Sequence, residues 1–172
     1  MRSPPQSKYA RIERERRFLV QQFPAGVAPV RTRRLVDRYI AGTSLRLREE
    51  LEEGSAPVYK LTQKIALTAE QGWITTIYLT DAEYSLFTQL PAGVLRKTRY
   101  SVPPFGIDVF EGTLQGLVMA EAEFGSDAEA AALPIPPFLF REVTSDPRFT
   151  GGSLACASPS DLAAWLAEYA GR

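Results

Sequence analysis

The chain has 172 residues, 45% of them hydrophobic, with 20 basic and 20 acidic side chains and therefore a formal net charge of zero. That is ample apolar material for one core and little for two, and the balance of charge excludes a global field drawing the protein to nucleic acid or a membrane surface. Histidine is absent, which removes the usual general base, the commonest metal ligand and every Ser-His or Cys-His nucleophile pair.

A single domain over residues 8–172 is expected, preceded by a disordered lead-in over residues 1–7 that carries two prolines and no periodic pattern. No segment offers the ~20 consecutive apolar residues of a membrane span, and the N-terminus has no apolar run of signal-peptide type. A cytoplasmic location is expected. Cys156, the only cysteine, cannot enter an internal disulfide and reads as a small buried apolar residue.

Polar and apolar residues alternate, or nearly so, over residues 10–20, 33–40, 44–50, 58–67, 72–79, 95–102, 107–112 and 118–124, with a short further segment near 140–143. These predict strands. The run Arg31 to Arg34 reads as a solvated turn near the start of the second of them, with lining of a barrel rim as the alternative. Thr80 is placed to cap a helix carrying Glu83, with Leu86, Phe87 and Leu90 on one stripe, and Ser126 to cap a short alanine-rich turn. Pro134 to Pro137 predict a rigid connection. In the last segment Ser158 to Asp161 read as a cap, and Leu162, Trp165, Leu166 and Tyr169 recur at helical spacing. Trp73 and Trp165, each among apolar neighbours, read as packing anchors. Strands punctuated by short helices predict an α+β fold with an antiparallel sheet closed into a barrel.

Residues two apart in a strand share a face. Glu13, Glu15 and Arg17 therefore point one way, as do Arg46 with Arg48, Lys60 with Thr62 and Lys64, Lys97 with Arg99, and Glu121 with Glu123. The opposite faces carry apolar groups such as Leu45, Leu47, Leu61, Ile65, Ala122 and Phe124. One strand of this kind usually shows its charges to solvent. Several together admit a barrel with charges in a wet lumen and apolar residues outside under helices. Burying so many charges unpaired costs several kcal/mol each, so that arrangement needs both signs, water and a ligand.

The segment Glu13-Arg14-Glu15-Arg16-Arg17 resembles the Glu-x-Glu-x-Lys opening of CYTH proteins, the triphosphate tunnel metalloenzymes. Leu45 to Arg48, Leu61 to Lys64, Arg96 to Tyr100, Ile107 to Gly112, Gly116 to Phe124 and Glu142 to Thr144 resemble its later blocks in the family's order. The resemblance implies a tunnel of about eight antiparallel strands with short flanking helices and a C-terminal helix. It also implies divalent-metal-dependent hydrolysis of a triphosphate, either inorganic tripolyphosphate or a small organic one. By the same resemblance Arg46, Arg48, Lys64, Lys97, Arg99 and Arg148 would hold phosphate oxygens. Glu13, Glu15, Asp108, Glu121 and Glu123 would bind Mg2+ or Mn2+, and Glu13, Glu15 and Arg17 would serve catalysis. The expected partner is a triphosphate-containing small molecule, with neither nucleic acid nor membrane, in a monomer or homodimer.

Two departures weigh on turnover. Arg17 replaces the family's lysine and cannot readily lose a proton. In the fifth strand Ile74 and Thr76 stand at about the positions of two family glutamates, which leaves open an alternative, a catalytically weak or inactive triphosphate sensor.

Overall fold

The structure, a computed structural model, describes residues 8–170; the predicted lead-in lies outside them. Its strands are β1 (Arg11–Val20), β2 (Arg31–Ile40), β3 (Leu45–Leu51), β4 (Val58–Ala66), β5 (Gln71–Leu79), β6 (Ala92–Val102), β7 (Phe105–Glu111), β8 (Val118–Phe124) and β9 (Leu139–Glu142). Its helices are α1 (Asp81–Thr88), α2 (Asp127–Ala131), α3 (Gly151–Leu154) and α4 (Pro159–Ala170). Eight strands form a closed antiparallel barrel in the order β5, β4, β3, β2, β6, β7, β8, β1, with β1 returning to β5. The expected fold is what the chain adopts.

Closure is asymmetric. One edge of β1 pairs with β8 from Arg14 to Leu19, while the other is divided. Its first half, Arg11 to Arg14, meets Gln71 to Ile74 of β5. Its second half, Phe18 to Val20, meets β9. Between them Arg17 is held by the C-terminal segment: its backbone N–H donates to Thr144 Oγ1 at 3.0 Å and its carbonyl accepts from the Val143 N–H at 2.8 Å. The edge of β1 thus changes partner between Glu15, whose N–H donates to the Glu70 carbonyl at 2.9 Å, and Arg17.

Three apolar clusters surround this wall. Ile40, Leu47 and Leu61 lie outside the barrel under Tyr84 and Phe87 of α1. Phe18, Val20, Phe105, Ile107, Ala120 and Ala122 are covered by Leu133, Phe138 and Leu139. The third fills one end of the barrel. There Leu19, Leu95, Phe110 and Met119, which share the inward face with Arg17, Lys97, Asp108 and Glu121, pack against Phe149, Leu154 and Leu162. The lumen is therefore charged along its middle and apolar at its floor.

The predicted caps form. Thr80 Oγ1 accepts from the Glu83 N–H while the Glu83 carboxylate accepts from the Thr80 N–H at 2.7 Å, the reciprocal pair that satisfies two orphan donors. Ser126 and Ser158 cap α2 and α4 in the same sense. Trp165 is the anchor expected, edge-on to Phe149 at 6.2 Å between centroids.

Several expectations are corrected. Leu86 and Leu90 are exposed, because α1 ends at Thr88 and docks through Tyr84 and Phe87. Arg31 to Arg34 begin β2 instead of forming a turn; Arg31 and Arg33 find Glu52 and Glu50 across the strands, at 2.6 and 3.0 Å. Cys156 is exposed, since Leu154 takes the buried position where α3 gives way to α4. The short helix α3, capped by Thr150, carries no apolar periodicity long enough to announce it.

Candidate functional site

Residues from all eight barrel strands line one cavity of about 480 Å³. Its wall includes Glu13, Glu15 and Arg17 from β1, Arg46 and Arg48 from β3, Lys64 from β4, Lys97 and Arg99 from β6, and Glu121 and Glu123 from β8. Ten residues singled out from strand parity thus converge on one space. Six are cations and four are carboxylates; with Glu70, which also lines the cavity, the wall carries a surplus of one positive charge before the buried groups behind it are counted. The cavity also touches residues 65–66 and 68–73, together with Thr144, Ser145, Pro147 and residues 149–152, from the segments beside β1.

The carboxylates are unequally engaged. Glu13 lies 2.5 Å from Lys64 Nζ and Glu15 lies 3.3 Å from it. Glu121 pairs with Arg99. Glu123 forms no ion pair with a described residue, although it stands directly opposite Glu15 across β1 and β8. Burial pushes the Glu15 carboxyl above its ordinary value; Lys64 opposes the shift, and Glu121 and Glu13 reinforce it. Burial would raise Glu121 as well, but Arg99, Lys97 and Lys64 overcome it and hold that carboxyl well below the usual range.

The cations are held from behind. Asp37, fully buried in β2, accepts from Arg48 Nε at 2.6 Å and Nη2 at 2.7 Å. Asp108, equally buried in β7, accepts from Arg99 Nε and Nη2 at 2.6 Å each and from Lys97 Nζ at 2.5 Å. Arg99 lies across Gly106, where a Cβ would come within 3.3 Å of its Cδ. Four buried guanidinium Nε atoms make no hydrogen bond; those of Arg17 and Arg46 belong to the cavity wall, those of Arg33 and Arg38 do not. The nearest anion to Arg46 Nε is Asp37 Oδ1, at 3.8 Å.

Three expectations about the site change. Asp108 is not on the cavity wall but beneath Lys97 and Arg99, with no exposed surface through which to meet an ion. Arg148 does not reach the cavity; its guanidinium is clasped by Asp146 and Glu168 at 2.8 and 2.9 Å, on the outer side of a turn whose Pro147 and Phe149 do line it. Lys60, on the same face of β4 as Lys64, does not join the wall but turns to Glu50 at 2.8 Å. Sequence reasoning also passed over Tyr39, Glu70 and Thr144 at the wall and Asp37 behind it, and Trp73, read as a packing anchor, lines the wall as well. Asp37 and Tyr39 share parity in β2, but only the strand register, which sets Asp37 opposite Arg48, reveals the relation.

Hard oxygen donors facing one space suit a hard divalent cation. Among the described residues no three acidic side chains are gathered as a ready-made cage; the opposed Glu15 and Glu123 are the pair best placed to share an ion.

No family model matches the chain. It is 36% identical over 159 residues to an inorganic triphosphatase of Nitrosomonas europaea, covering 86% of this chain and 99% of that protein. Among solved structures, the inorganic triphosphatase NE1496 superimposes with a TM-score of 0.57 at 30% identity, over 84% of this chain and 98% of that one. A conserved hypothetical protein from Pyrococcus furiosus, 19% identical, shares the fold with a TM-score of 0.50 over 70% of this chain and 83% of its own. With a closed eight-stranded barrel, an inward-facing charged lumen and a relative this similar along nearly its whole length, the chain belongs to the CYTH, or triphosphate tunnel, family.

Proposed function

We propose that the chain hydrolyses inorganic triphosphate in this cavity with the help of Mg2+ or Mn2+. The observation that carries the reading is the pair of buried guanidinium Nε atoms, on Arg17 and Arg46, left without acceptors at the wall of a cavity that four further cations enter. An unsatisfied buried donor costs about 1–3 kcal/mol, a cost that ligand oxygens would remove. Similarity to an inorganic triphosphatase favours the inorganic substrate over an organic one.

Arg46 and Arg48 on β3, Lys64 on β4, and Lys97 and Arg99 on β6, one arc of the barrel around β2, would grip the nonbridging oxygens and fix the terminal phosphorus. Neutralising those oxygens is most of what phosphoryl transfer asks of a protein. Glu13 and Glu15, on the inward face of β1, are the carboxylates placed to accept a proton from the attacking water. The new bond joins that water's oxygen to the terminal phosphorus as the bridging P–O bond breaks, and pyrophosphate leaves with the bonding pair. Arg17 stays charged throughout and steadies the terminal phosphoryl. A divalent ion held by Glu15 and Glu123, with Glu13 and Glu121 near it, would add positive charge against the phosphate oxygens and complete its shell with water. Phosphorus NMR tests this directly: incubation of tripolyphosphate with the protein and Mg2+ or Mn2+ should yield orthophosphate and pyrophosphate in equal amounts, and an unchanged substrate spectrum would refute hydrolysis.

A second reading, a triphosphate binder with little turnover, is favoured by β5. Ile74 is buried and Thr76 Oγ1 shares a hydrogen bond of 3.0 Å with Thr62, so neither brings a carboxylate to the lumen. Attraction felt equally by substrate and transition state tightens binding without raising turnover. Tight calorimetric binding in chelator, with no hydrolysis once metal is restored, would select this reading.

A further inference from the structure

Arg48 and Arg99 stand in matched arrangements. Each guanidinium is met side-on, through Nε and Nη2, by an aspartate with no exposed surface on the neighbouring strand: Asp37 for Arg48 and Asp108 for Arg99. In a side-on pair of this kind two N–H groups are spent on the carboxylate, and the rest of the fork is aimed away from it. The arginines line the cavity and Asp37 does not. The carboxylate that fixes Arg48 is thus hidden from any ligand in the lumen.

Asp37 has a second arginine within reach. Arg46, two residues before Arg48 on the same face of β3, holds its Nε 3.8 Å from Asp37 Oδ1, too far for a hydrogen bond. Burial alone would raise the Asp37 carboxyl; Arg48, Arg46 and Lys97 together keep it well below the usual range, so it stays ionised. One carboxylate therefore holds Arg48 rigidly while leaving Arg46 Nε unsatisfied.

The geometry points to Asp37 as a positioning residue for triphosphate binding, acting through Arg48 and, by proximity, Arg46. The inference rests on the reading of the cavity as a triphosphate site. A flexible arginine must lose its side-chain freedom when it takes a ligand, whereas one already clamped has lost it on folding. Asp37 contributes order to the phosphate cradle even though its own charge opposes the ligand's.

That opposition gives a test whose sign is decisive. In Asp37→Asn the site gains one unit of positive charge, so bulk electrostatics predicts tighter binding of a polyanion. Positioning predicts weaker binding, because an amide cannot accept both guanidinium N–H groups and Arg48 is released. Misplaced binding groups of this kind cost on the order of tenfold to hundredfold. The measurement is the dissociation constant for tripolyphosphate in chelator, by calorimetry, for the wild type, Asp37→Asn, Arg48→Gln and the double variant. We expect Asp37→Asn to bind at least tenfold more weakly, and its effect to shrink to about twofold in the Arg48→Gln background, as for residues acting through one another. Affinity in Asp37→Asn equal to or above the wild type would overturn the inference while leaving the triphosphate site standing. A wild type that binds no tripolyphosphate would overturn both. Should Asp37→Asn fail to fold, Asp37→Glu keeps the charge but advances the carboxylate by one methylene; weaker binding then supports positioning, and wild-type affinity refutes it.

Discussion

Glu15 on β1 and Glu123 on β8 face each other directly across the two strands, both on the inward side of the barrel. Opposed like charges destabilise a strand pair. Lys64 relieves Glu15 from one side at 3.3 Å, whereas Glu123 has no ion-pair partner among the described residues. A bound cation would reverse the sign of that relationship. We predict that Mg2+ or Mn2+ raises the melting temperature of the wild type by several degrees, as expected for a ligand that binds only the folded chain. Glu123→Gln should melt higher than the wild type in chelator and gain less from metal. Equal gains in both proteins would remove Glu123 from the metal site.

Protonation of Glu15 should act in the same direction as its removal. Its carboxyl lies above the ordinary value of 4.5, so the folded chain takes up a proton at higher pH than the unfolded chain, and ionising Glu15 above its folded pKa costs stability. The protonated cavity is one charge more positive. Metal-free tripolyphosphate affinity should therefore rise as pH falls through that pKa, and Glu15→Gln should lack this component. The ratio of the two proteins' dissociation constants isolates the effect, since the ligand's own titration is common to both. A ratio constant with pH would contradict the assignment.

Glu50 predicts the opposite response for stability. Burial opposes its ionisation, but hydrogen bonds from Lys60 and Arg33 hold its pKa at about 2. A folded value below the ordinary 4.5 means that this stabilisation is present above pH 4.5 and disappears as pH falls toward 2. Glu50→Gln should lose about 1–3 kcal/mol at neutral pH, the cost of stranding buried polar partners, and should show a shallower fall in melting temperature on acidification. An unaltered acid profile would show that the network at this end of the barrel carries little stability.

The floor of the cavity admits no extra atom at residue 151. A Cβ there would overlap the Tyr39 hydroxyl, and Tyr39 is itself part of the wall. Gly151→Ala should cost about 1–3 kcal/mol through overpacking and weaken tripolyphosphate binding by moving Tyr39. A variant with wild-type melting and affinity would mean that α3 shifts to make room.

The barrel was legible because alternation of polar and apolar residues survives in nearly every strand, and because the charges fall on one parity. The second-strand boundary was not: Arg31 and Arg33 look like a solvated turn until Glu50 and Glu52 arrive from β3 and its following residue. Asp108 illustrates a different limit. Parity places it on the inward face, but whether an inward carboxylate meets an ion or underpins two cations depends on Lys97 and Arg99 folding over it. Arg148 was drawn away by Glu168 on α4, a contact between segments that periodicity cannot see. The apolar floor was missed because Leu95, Phe110 and Met119 continue the charged rows by two residues, and only closure of the barrel end by Phe149 and Leu154 tells lumen from core.

On the proposed reading, inward-facing cations, not the general charge of the surface, handle the triphosphate. The most direct test compares kcat/KM for tripolyphosphate, with Mg2+ or Mn2+, in the wild type, Arg46→Gln and Arg96→Gln. Both variants lose one positive charge, but Arg46 lines the cavity and Arg96 is exposed on β6. Losing a charge-assisted hydrogen bond is worth about 1.5–3 kcal/mol. Arg46→Gln should therefore fall by roughly ten- to a hundredfold, while Arg96→Gln stays within about twofold. Equal losses in the two variants, or a wild type that releases no phosphate, would contradict the account.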